Sequence, residues 1–479
     1  MNYSIIIYIL GWILEFTGVL MVIPGITAVI YRERSGFAFL ITILVSVAIG
    51  LFITRKKPKN TVFHIKEAFV TTSLSWILLS IAGAVPFVIS RSIPHPIDAL
   101  FETVSGFTTT GASILPEVEP LSHCMLIWRS FTHWIGGMGV LVFLLCLLPL
   151  TGGYNMTLMK AESPGPSVSR LVPKVRSTAK ILYSIYFGLT VLEMIFLLIG
   201  GMPLFDTLCT AFGTAGTGGF GIKNDSFAGY SMYLQGVVNV FMILFGVNFS
   251  AYYLILTKKF LQAFEIQEIR YYLGLIGAAI LVVGVNIRHL FPNIWYALHH
   301  AAFQVGSIIT TTGFATQDFN QWPTLSKTIL VMLMFVGACA GSTGGGIKVS
   351  RVLIYIKTLR KEFHLYLHPN LVKKIKMDKK SVSHDVVRAA NTYMVLYILL
   401  FVFSLLILSI DDLDLVTNFT AVAATLNNIG PGLELVGPTA NFSVFSGIPK
   451  CILIFDMLAG RLELFPLFIL FSRSTWKKF

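Results

Sequence analysis

Thr310-Thr311-Thr312-Gly313-Phe314 sits between two apolar runs, and three kindred segments stand about a hundred residues apart along the chain: Thr108-Thr109-Thr110-Gly111-Ala112, Ala215-Gly216-Thr217-Gly218-Gly219 and Asn427-Asn428-Ile429-Gly430-Pro431. Irregular backbone survives within a bilayer only where protein or a water-filled cavity covers its N–H and C=O groups. Four such breaks in equivalent places point to one shared cavity. Rings of backbone carbonyls at such a cavity can replace the hydration shell of a cation.

The sequence around these segments is that of an integral membrane protein. Of 479 residues, 55% are apolar and only 12% charged. Apolar stretches of roughly 18 residues or more, the length a helical span needs, cover most of the chain. The first, Ile5 to Ile30, is too long for a signal-peptide core and follows no Lys or Arg, so it reads as a retained span. Five cysteines, Cys124, Cys146, Cys209, Cys339 and Cys451, are widely scattered without CxxC spacing and indicate neither a disulfide framework nor a metal site.

The net charge of +13 would suit nucleic acid only on a soluble basic domain, and the chain has none long enough. Topology accounts for it instead. Basic residues gather in alternate connecting segments: Arg55, Lys56, Lys57, Lys59 and Lys66; Lys160 to Lys180; Lys258, Lys259 and Arg270; ten more from Arg351 to Arg388; and Arg473, Lys477 and Lys478. The intervening segments hold only Arg32, Arg34, Arg91, Lys223, Arg288, Lys327 and Lys450. By the positive-inside rule both termini are cytoplasmic. The outer side then carries Asp98, Glu102, Glu117, Glu119, Asp206, Asp225, Asp318, Asp411, Asp412, Asp414 and Glu434. These are either ordinary solvated charges or an acidic vestibule that concentrates cations.

A leading pair of spans, roughly 5 to 30 and 36 to 54, precedes a pattern that repeats four times: apolar span, short amphipathic segment, Gly/Thr loop, apolar span. The expected spans are Glu67 to Ser90 and Ser122 to Leu150; Ala179 to Gly200 and Ser231 to Leu256; Tyr271 to Leu290 and Ser326 to Tyr355; and Thr392 to Ile410 and Phe442 to Phe471. The short segments are Ile97 to Phe107, Leu204 to Phe212, Ile294 to Ile308 and Leu415 to Leu426, each too short to cross a bilayer. Each should enter and turn back, aiming its negative dipole end at the membrane interior, where it favours a cation. The fold class is therefore an all-α polytopic membrane protein: four pseudo-symmetric helix–pore loop–helix repeats around one pore, plus two leading transmembrane helices. The domain boundaries fall at 1–60 for the leading pair, 61–150, 151–258 and 259–388 for the first three repeats, the third including a cytoplasmic loop, and 389–479 for the fourth.

Aligned on one glycine, the loops read Thr109-Thr110-Gly111-Ala112, Gly216-Thr217-Gly218-Gly219, Thr311-Thr312-Gly313-Phe314 and Asn428-Ile429-Gly430-Pro431, placing Gly111, Gly218, Gly313 and Gly430 at one level. Glycine permits the dihedrals that aim successive carbonyls the same way, and the threonine before it can add a hydroxyl ligand. A plain turn between helices is the alternative for any single loop. Gly216-Thr217-Gly218-Gly219-Phe220-Gly221 superficially resembles a dinucleotide fingerprint, but neither strand nor βαβ unit surrounds it.

On these residues, with Gly106-Phe107 before the first loop, Phe220 after the second, Ala315-Thr316 and Asp318-Phe319 after the third and Gly432 after the fourth, the chain resembles the Trk/Ktr/HKT cation transporter superfamily, and within it the bacterial TrkH type. The resemblance runs from about residue 60 to the end, and the leading pair distinguishes the TrkH type from the shorter Ktr type. It implies a selectivity filter at Thr110, Gly111, Thr217, Gly218, Thr312, Gly313, Ile429 and Gly430, with K⁺ favoured because glycine rather than serine stands at Gly111. It also implies a homodimer with one pore per protomer, a bacterial inner-membrane location among lipid, and a cytosolic TrkA-like nucleotide-binding regulatory subunit on the basic inner face. Ile429 and Pro431 depart most from the family pattern.

Gly337-Ala338-Cys339-Ala340-Gly341-Ser342-Thr343-Gly344-Gly345-Gly346-Ile347-Lys348 interrupts the last span of the third repeat. At roughly 1 kcal/mol per glycine it cannot remain helical. The resemblance implies an intramembrane gate lying across the pore beneath the filter, with Gly341, Gly344, Gly345, Gly346 and Lys348 in it. A phosphate loop fails because Ile347 breaks the G-x-x-x-x-G-K-[ST] spacing, and close helix packing by small residues is the structural alternative. Arg461 lies within the last span, where a charge must face water or a partner. The resemblance puts it in the pore as an electrostatic barrier, while pairing with Asp456 or Glu463 is the alternative and does not exclude that role. Arg129, His133 and Trp134 read as buried polar packing, and His289, His299 and His300 as structural residues near the outer interface.

The expected activity is potassium uptake driven by the membrane potential, with no cofactor in this chain and K⁺ as the transported ion. A sodium-permeable or ion-coupled (Na⁺ or H⁺) potassium symporter is the alternative. A membrane enzyme would need clustered ionisable residues at the midplane, and the chain has too few.

Overall fold

A computed structural model describes residues 1–58, 63–139, 175–370 and 374–476. Residues 140–150 of the expected span Ser122 to Leu150, most of the basic run Lys160 to Lys180, and Lys59, Cys146, Lys373, Lys477 and Lys478 lie outside the described residues. Among those described, the structure is helical apart from a two-stranded hairpin, Lys376–Met377 against Lys380–Ser381.

The leading pair is one long span, Tyr3–Leu20 continued by Val22–Ile30, packed along Gly36–Thr54. Glycine makes this contact possible: a Cβ on Gly50 would lie 2.5 Å from Glu15 Cγ and 2.9 Å from the Gly11 carbonyl oxygen. Only 28% of the apolar window of Gly36–Thr54 is buried within the protein, so its remaining apolar faces belong against hydrocarbon. Glu33, in the turn of the pair, accepts the backbone N–H groups of His123 and Cys124 at 2.7 and 2.9 Å and ties the pair to the first repeat. At the other end the two termini meet: Tyr3 Oη donates to Trp476 O at 3.1 Å, and Lys66 Nζ to Ser474 O at 2.7 Å.

Each repeat opens on a long apolar helix: Ile65–Ile89, Val175–Ile199, Gln267–Asn286 and His384–Leu408. A short pore helix follows: Pro96–Phe107, Leu204–Gly216, Ile294–Ile309 and Leu415–Leu426. At 16 residues or fewer these cannot span a bilayer. The second runs four residues past the expected Phe212, stopping where Thr217 turns left-handed.

The starts of the pore helices are fixed locally. Pro96 occupies the first turn, Asn293 Oδ1 accepts from Trp295 and Tyr296 N, and Asp414 accepts from Thr417 N at 2.9 Å. Burial pushes the Asp414 carboxyl up, but the Thr417 hydroxyl and nearby amides outweigh it and hold the group below the usual carboxylate range. Asp414→Ala should therefore cost about 1 kcal/mol, read as a lower midpoint in a detergent thermal melt. Because the folded-state pKa is depressed, the cap's contribution is present above the unfolded value and fades as pH falls through the folded one.

The closing helices of the second, third and fourth repeats are broken, contrary to the continuous spans expected over Ser231 to Leu256, Ser326 to Tyr355 and Phe442 to Phe471. Met232–Phe245 and Phe249–Leu256 meet at 93°. Gly447–Arg461 and Phe465–Ile469 are parted by Leu462–Leu464, where Leu464 has φ 69°. In the third repeat Thr324–Val336 and Val349–Leu367 are separated by the glycine-rich segment, and the expected cytoplasmic loop from Arg351 thus begins as helix. The bend at Gly246 has a use: it frees Phe245 O to accept from Thr343 Oγ1 at 3.2 Å and Gly246 O to accept from Cys339 N at 3.0 Å.

Candidate functional site

Every pore helix ends in the same turn. The amides of Thr110, Gly218, Thr312 and Ile429 donate to carbonyls five residues back, those of Ser105, Gly213, Ser307 and Ala424, at 2.9, 2.8, 2.8 and 2.8 Å. The preceding residue is left-handed each time: Thr109, Thr217, Thr311 and Asn428 have φ of 56°, 53°, 59° and 56°. Two residues on, Gly111, Gly219, Gly313 and Gly430 have φ of 79°, 82°, 90° and 101°, a region that L side chains avoid.

This corrects the register expected for the second loop. Thr217 is the equivalent of Thr109, Gly218 of Thr110, and Gly219, not Gly218, stands level with Gly111, Gly313 and Gly430. Gly218 is glycine for another reason: a Cβ there would lie 2.2 Å from the imidazole Cγ of His133. The sequence held a signal for the right register, since Gly219-Phe220 matches Gly313-Phe314.

The four loops close on one another. A Cβ on Gly111 would lie 2.0 Å from Gly218 O, one on Gly219 2.0 Å from Thr312 O, one on Gly313 2.2 Å from Ile429 O, and one on Gly430 2.7 Å from Thr110 O. Each level glycine thus lies against the carbonyl of the next repeat, in the order first, second, third, fourth and back to first. Four carbonyl oxygens share this ring.

The threonine hydroxyls are arranged otherwise than expected. Thr110 and Thr312 are tied off behind the loops, their Oγ1 atoms each 2.8 Å from those of Thr108 and Thr310. Thr110 Oγ1 also accepts from Asn428 Nδ2 at 2.9 Å, linking the fourth loop to the first. At the left-handed level below, Thr109 Oγ1 is buried without a hydrogen-bond partner.

A cavity of about 120 Å³ opens above the ring, and Gly111, Gly219, Gly313 and Gly430 all border it. Its charged lining residues are Arg129 and Lys223, and no acid lines it. Six of the eleven outer acids are taken up structurally. Glu102 pairs with Arg129 at 2.7 Å, both buried, and Asp98 with Lys450 at 2.7 Å. Asp206 accepts from Tyr230 Oη, Asp411 from Ser446, and Asp318 and Asp414 cap helix starts, where unpaired N–H groups need acceptors.

Beneath the ring lies the segment Gly337 to Lys348. Gly345 N donates to Thr311 Oγ1 at 2.7 Å and Gly346 N to Asn427 O at 3.1 Å. Glycine is required at this approach: a Cβ on Gly344 would lie 2.8 Å from Thr310 O, and one on Gly345 2.4 Å from Asn427 O. Lys348 Nζ turns back onto Gly344 O at 2.7 Å. Gly341 lies at the far edge, its carbonyl accepting from Phe249 N at 3.0 Å.

Arg461 bridges this segment to the first repeat. Its guanidinium donates to Thr343 O at 2.8 Å, to Gly137 O at 2.7 Å and to Gly136 O. The acids expected as partners are engaged elsewhere: Glu463 pairs with Arg351, and Asp456 Oδ1 accepts from Ser404 at 2.8 Å.

Sequence reasoning missed Glu268. Its Oε1 accepts from Ala340 N at 2.6 Å and Ser350 N at 3.1 Å, so one carboxylate clips both limbs of the segment. A glutamate in the first turn of an apolar helix was the one signal in the sequence, and it names no partner.

A family model described as TrkH, cation transport protein, matches residues 35–285 and 276–478. The Trk system potassium uptake protein TrkH of Salmonella typhimurium strain LT2 is 36% identical, covering 100% of both chains, and that of Escherichia coli K12 is 35% identical over 100% of both. The crystal structure of the potassium transporter TrkH from Vibrio parahaemolyticus superposes with a TM-score of 0.89 at 32% identity, over 100% of each chain.

Proposed function

We infer, since this chain belongs to the TrkH family of cation transport proteins and is a multi-pass potassium uptake transporter, that K⁺ crosses the membrane through the ring of four loops. The observation that carries this reading is the closure of the ring, each level glycine against the next repeat's carbonyl. The carbonyls of Thr110, Gly218, Thr312 and Ile429 replace the hydration shell of the ion, and the buried Thr109 hydroxyl offers a further oxygen at the level below. The pore helices aim their C-terminal carbonyl ends toward this point, which favours positive charge there. An inside-negative potential drives the ion inward with ~2.3 kcal/mol per charge per 100 mV.

The segment Gly341 to Lys348 acts as the gate, held shut by Arg461 and clipped at its base by Glu268. Opening requires the hydrogen bonds to Thr311, Asn427 and Thr343 to break together. Glu268→Gln keeps the side-chain shape but weakens the clip, and it should raise basal ⁴²K⁺ uptake several-fold; an unchanged rate in liposomes with equal protein would remove Glu268 from the gate.

The chain lies in the bacterial inner membrane with both termini cytoplasmic, a reading supported by the meeting of Tyr3, Lys66 and Trp476 at one end and by the basic residues assigned to that side. A homodimer, with a TrkA-like nucleotide-binding subunit docked on this inner face, completes the proposal. The test is flux: reconstituted chain should take up ⁴²K⁺ in preference to ²²Na⁺. Potassium-independent sodium uptake would favour the sodium-permeable or ion-coupled alternative.

A further inference from the structure

His133 stands on His123–Gly137, the closing helix of the first repeat, and is wholly buried. Its Nδ1 lies 2.7 Å from Gly106 O, which can only accept, and its Nε2 lies 3.2 Å from Phe220 N, which can only donate. Together these contacts require one neutral tautomer, with the proton on Nδ1 and a free lone pair on Nε2. Gly106 belongs to the first pore helix and Phe220 follows the second loop, so the ring joins two repeats at the seam where Gly111 meets Gly218 O.

His133 also takes the place of side chains that the second loop lacks, with its ring at one position and its backbone carbonyl at the other. A Cβ on Gly218 would lie 2.2 Å from His133 Cγ, and one on Gly216 2.2 Å from His133 O. The same two positions hold Thr108 and Thr110 in the first loop and Thr310 and Thr312 in the third, whose paired hydroxyls brace those loops from behind. We propose that His133 replaces the missing threonine pair and is the positioning residue for the second loop, so that discrimination of K⁺ from Na⁺ depends on the acceptor it presents to Phe220. This rests on the reading of the ring as the selectivity filter.

The physical reason is that Phe220 N directly follows level Gly219. With its acceptor it holds the loop in register; without it, a buried donor is left unpaired and the loop must shift to satisfy it. Arg129, whose guanidinium lies 4.1 Å from the Phe220 ring, keeps that side chain from following.

The experiment uses full-length chain in liposomes, with ⁴²K⁺ and ²²Na⁺ uptake measured on the same preparation, so that the ratio is independent of how much protein folded. His133→Asn keeps a donor toward Gly106 but removes the acceptor at Nε2, whereas His133→Gln restores a carbonyl oxygen near it. The expected result is a K⁺/Na⁺ ratio about tenfold lower in the Asn variant and within about twofold of the parent in the Gln variant. Equal ratios in the two variants overturn the proposal. Gly313→Ala run in parallel separates the two readings: if it lowers the ratio while both His133 variants match the parent, the filter stands and the role of His133 falls. If Gly313→Ala also leaves the ratio unchanged, the filter reading itself fails.

Discussion

Gly219→Ala is expected to abolish selective potassium uptake, even though Gly219 lies one residue beyond the position the sequence alignment favoured. Its φ of 82° is strained for any L residue, at a cost on the order of 1–3 kcal/mol. The added Cβ would meet Thr312 O at 2.0 Å, and that atom is backbone of the ring, so nothing flexible can yield. Either the third loop moves outward or the second loses its turn; both separate the carbonyls that, on the proposed reading, close on a dehydrated ion. A combined penalty near 2.8 kcal/mol corresponds to about a hundredfold loss of K⁺ over Na⁺ discrimination. Gly236→Ala, where nothing lies within 4 Å of the new atom, serves as the control and should retain the parent ratio. Parent-like selectivity in Gly219→Ala would place the constriction elsewhere. Gly218→Ala tests the register from the other side: its clash is with the His133 ring rather than with the carbonyl ring, so adding it to His133→Ala should lower the K⁺/Na⁺ ratio no further, whereas adding Gly219→Ala to His133→Ala should lower it again.

Removing Arg461 should have the opposite sign. Arg461→Ala eliminates donors that pin Thr343 O of the glycine-rich segment to Gly136 O and Gly137 O of the first repeat. Hydrogen bonds to a charged group contribute about 1.5–3 kcal/mol each, and 1.4 kcal/mol is a factor of ten in a two-state equilibrium, so if the segment is the proposed gate, losing even one moves it at least about tenfold toward open. The substitution also removes a fixed positive charge from beneath the ring, which lowers the barrier to a passing cation. Initial ⁴²K⁺ uptake per mole of reconstituted protein should therefore rise by about an order of magnitude or more, with K⁺/Na⁺ discrimination kept because the ring is untouched. Arg461→Lys retains the charge but lacks the forked geometry that reaches both sides, and should give an intermediate rate. Uptake at or below the parent rate in folded Arg461→Ala would show that the residue supports the structure rather than closing the pore.

Much of this arrangement was legible in the chain. Apolar run lengths marked the long helices, and the short segments before the loops could only be re-entrant. The fourth pore helix, Leu415–Leu426, has the bounds expected of it. The glycine-rich segment Gly337 to Lys348 was recognisable as non-helical from composition, and Arg461 as a charge in need of partners. The partners themselves were not legible: Gly136 and Gly137 are more than 300 residues away in sequence and contribute only carbonyl oxygens, which carry no residue signature. Glu268 was overlooked for the same reason, since it binds the backbone amides of Ala340 and Ser350.

By itself, then, the sequence determined the membrane class, the fourfold repetition and the need for unusual backbone at each loop, because these follow from hydropathy, length and the conformational freedom of glycine. Only the tertiary structure decided which glycine does what. Gly218 and Gly219 are chemically identical neighbours, yet one makes room for an imidazole from another repeat and the other adopts a left-handed turn against another repeat's carbonyl. Residue type records that a side chain is absent; which neighbour forbids it is settled only when the four repeats close on one another.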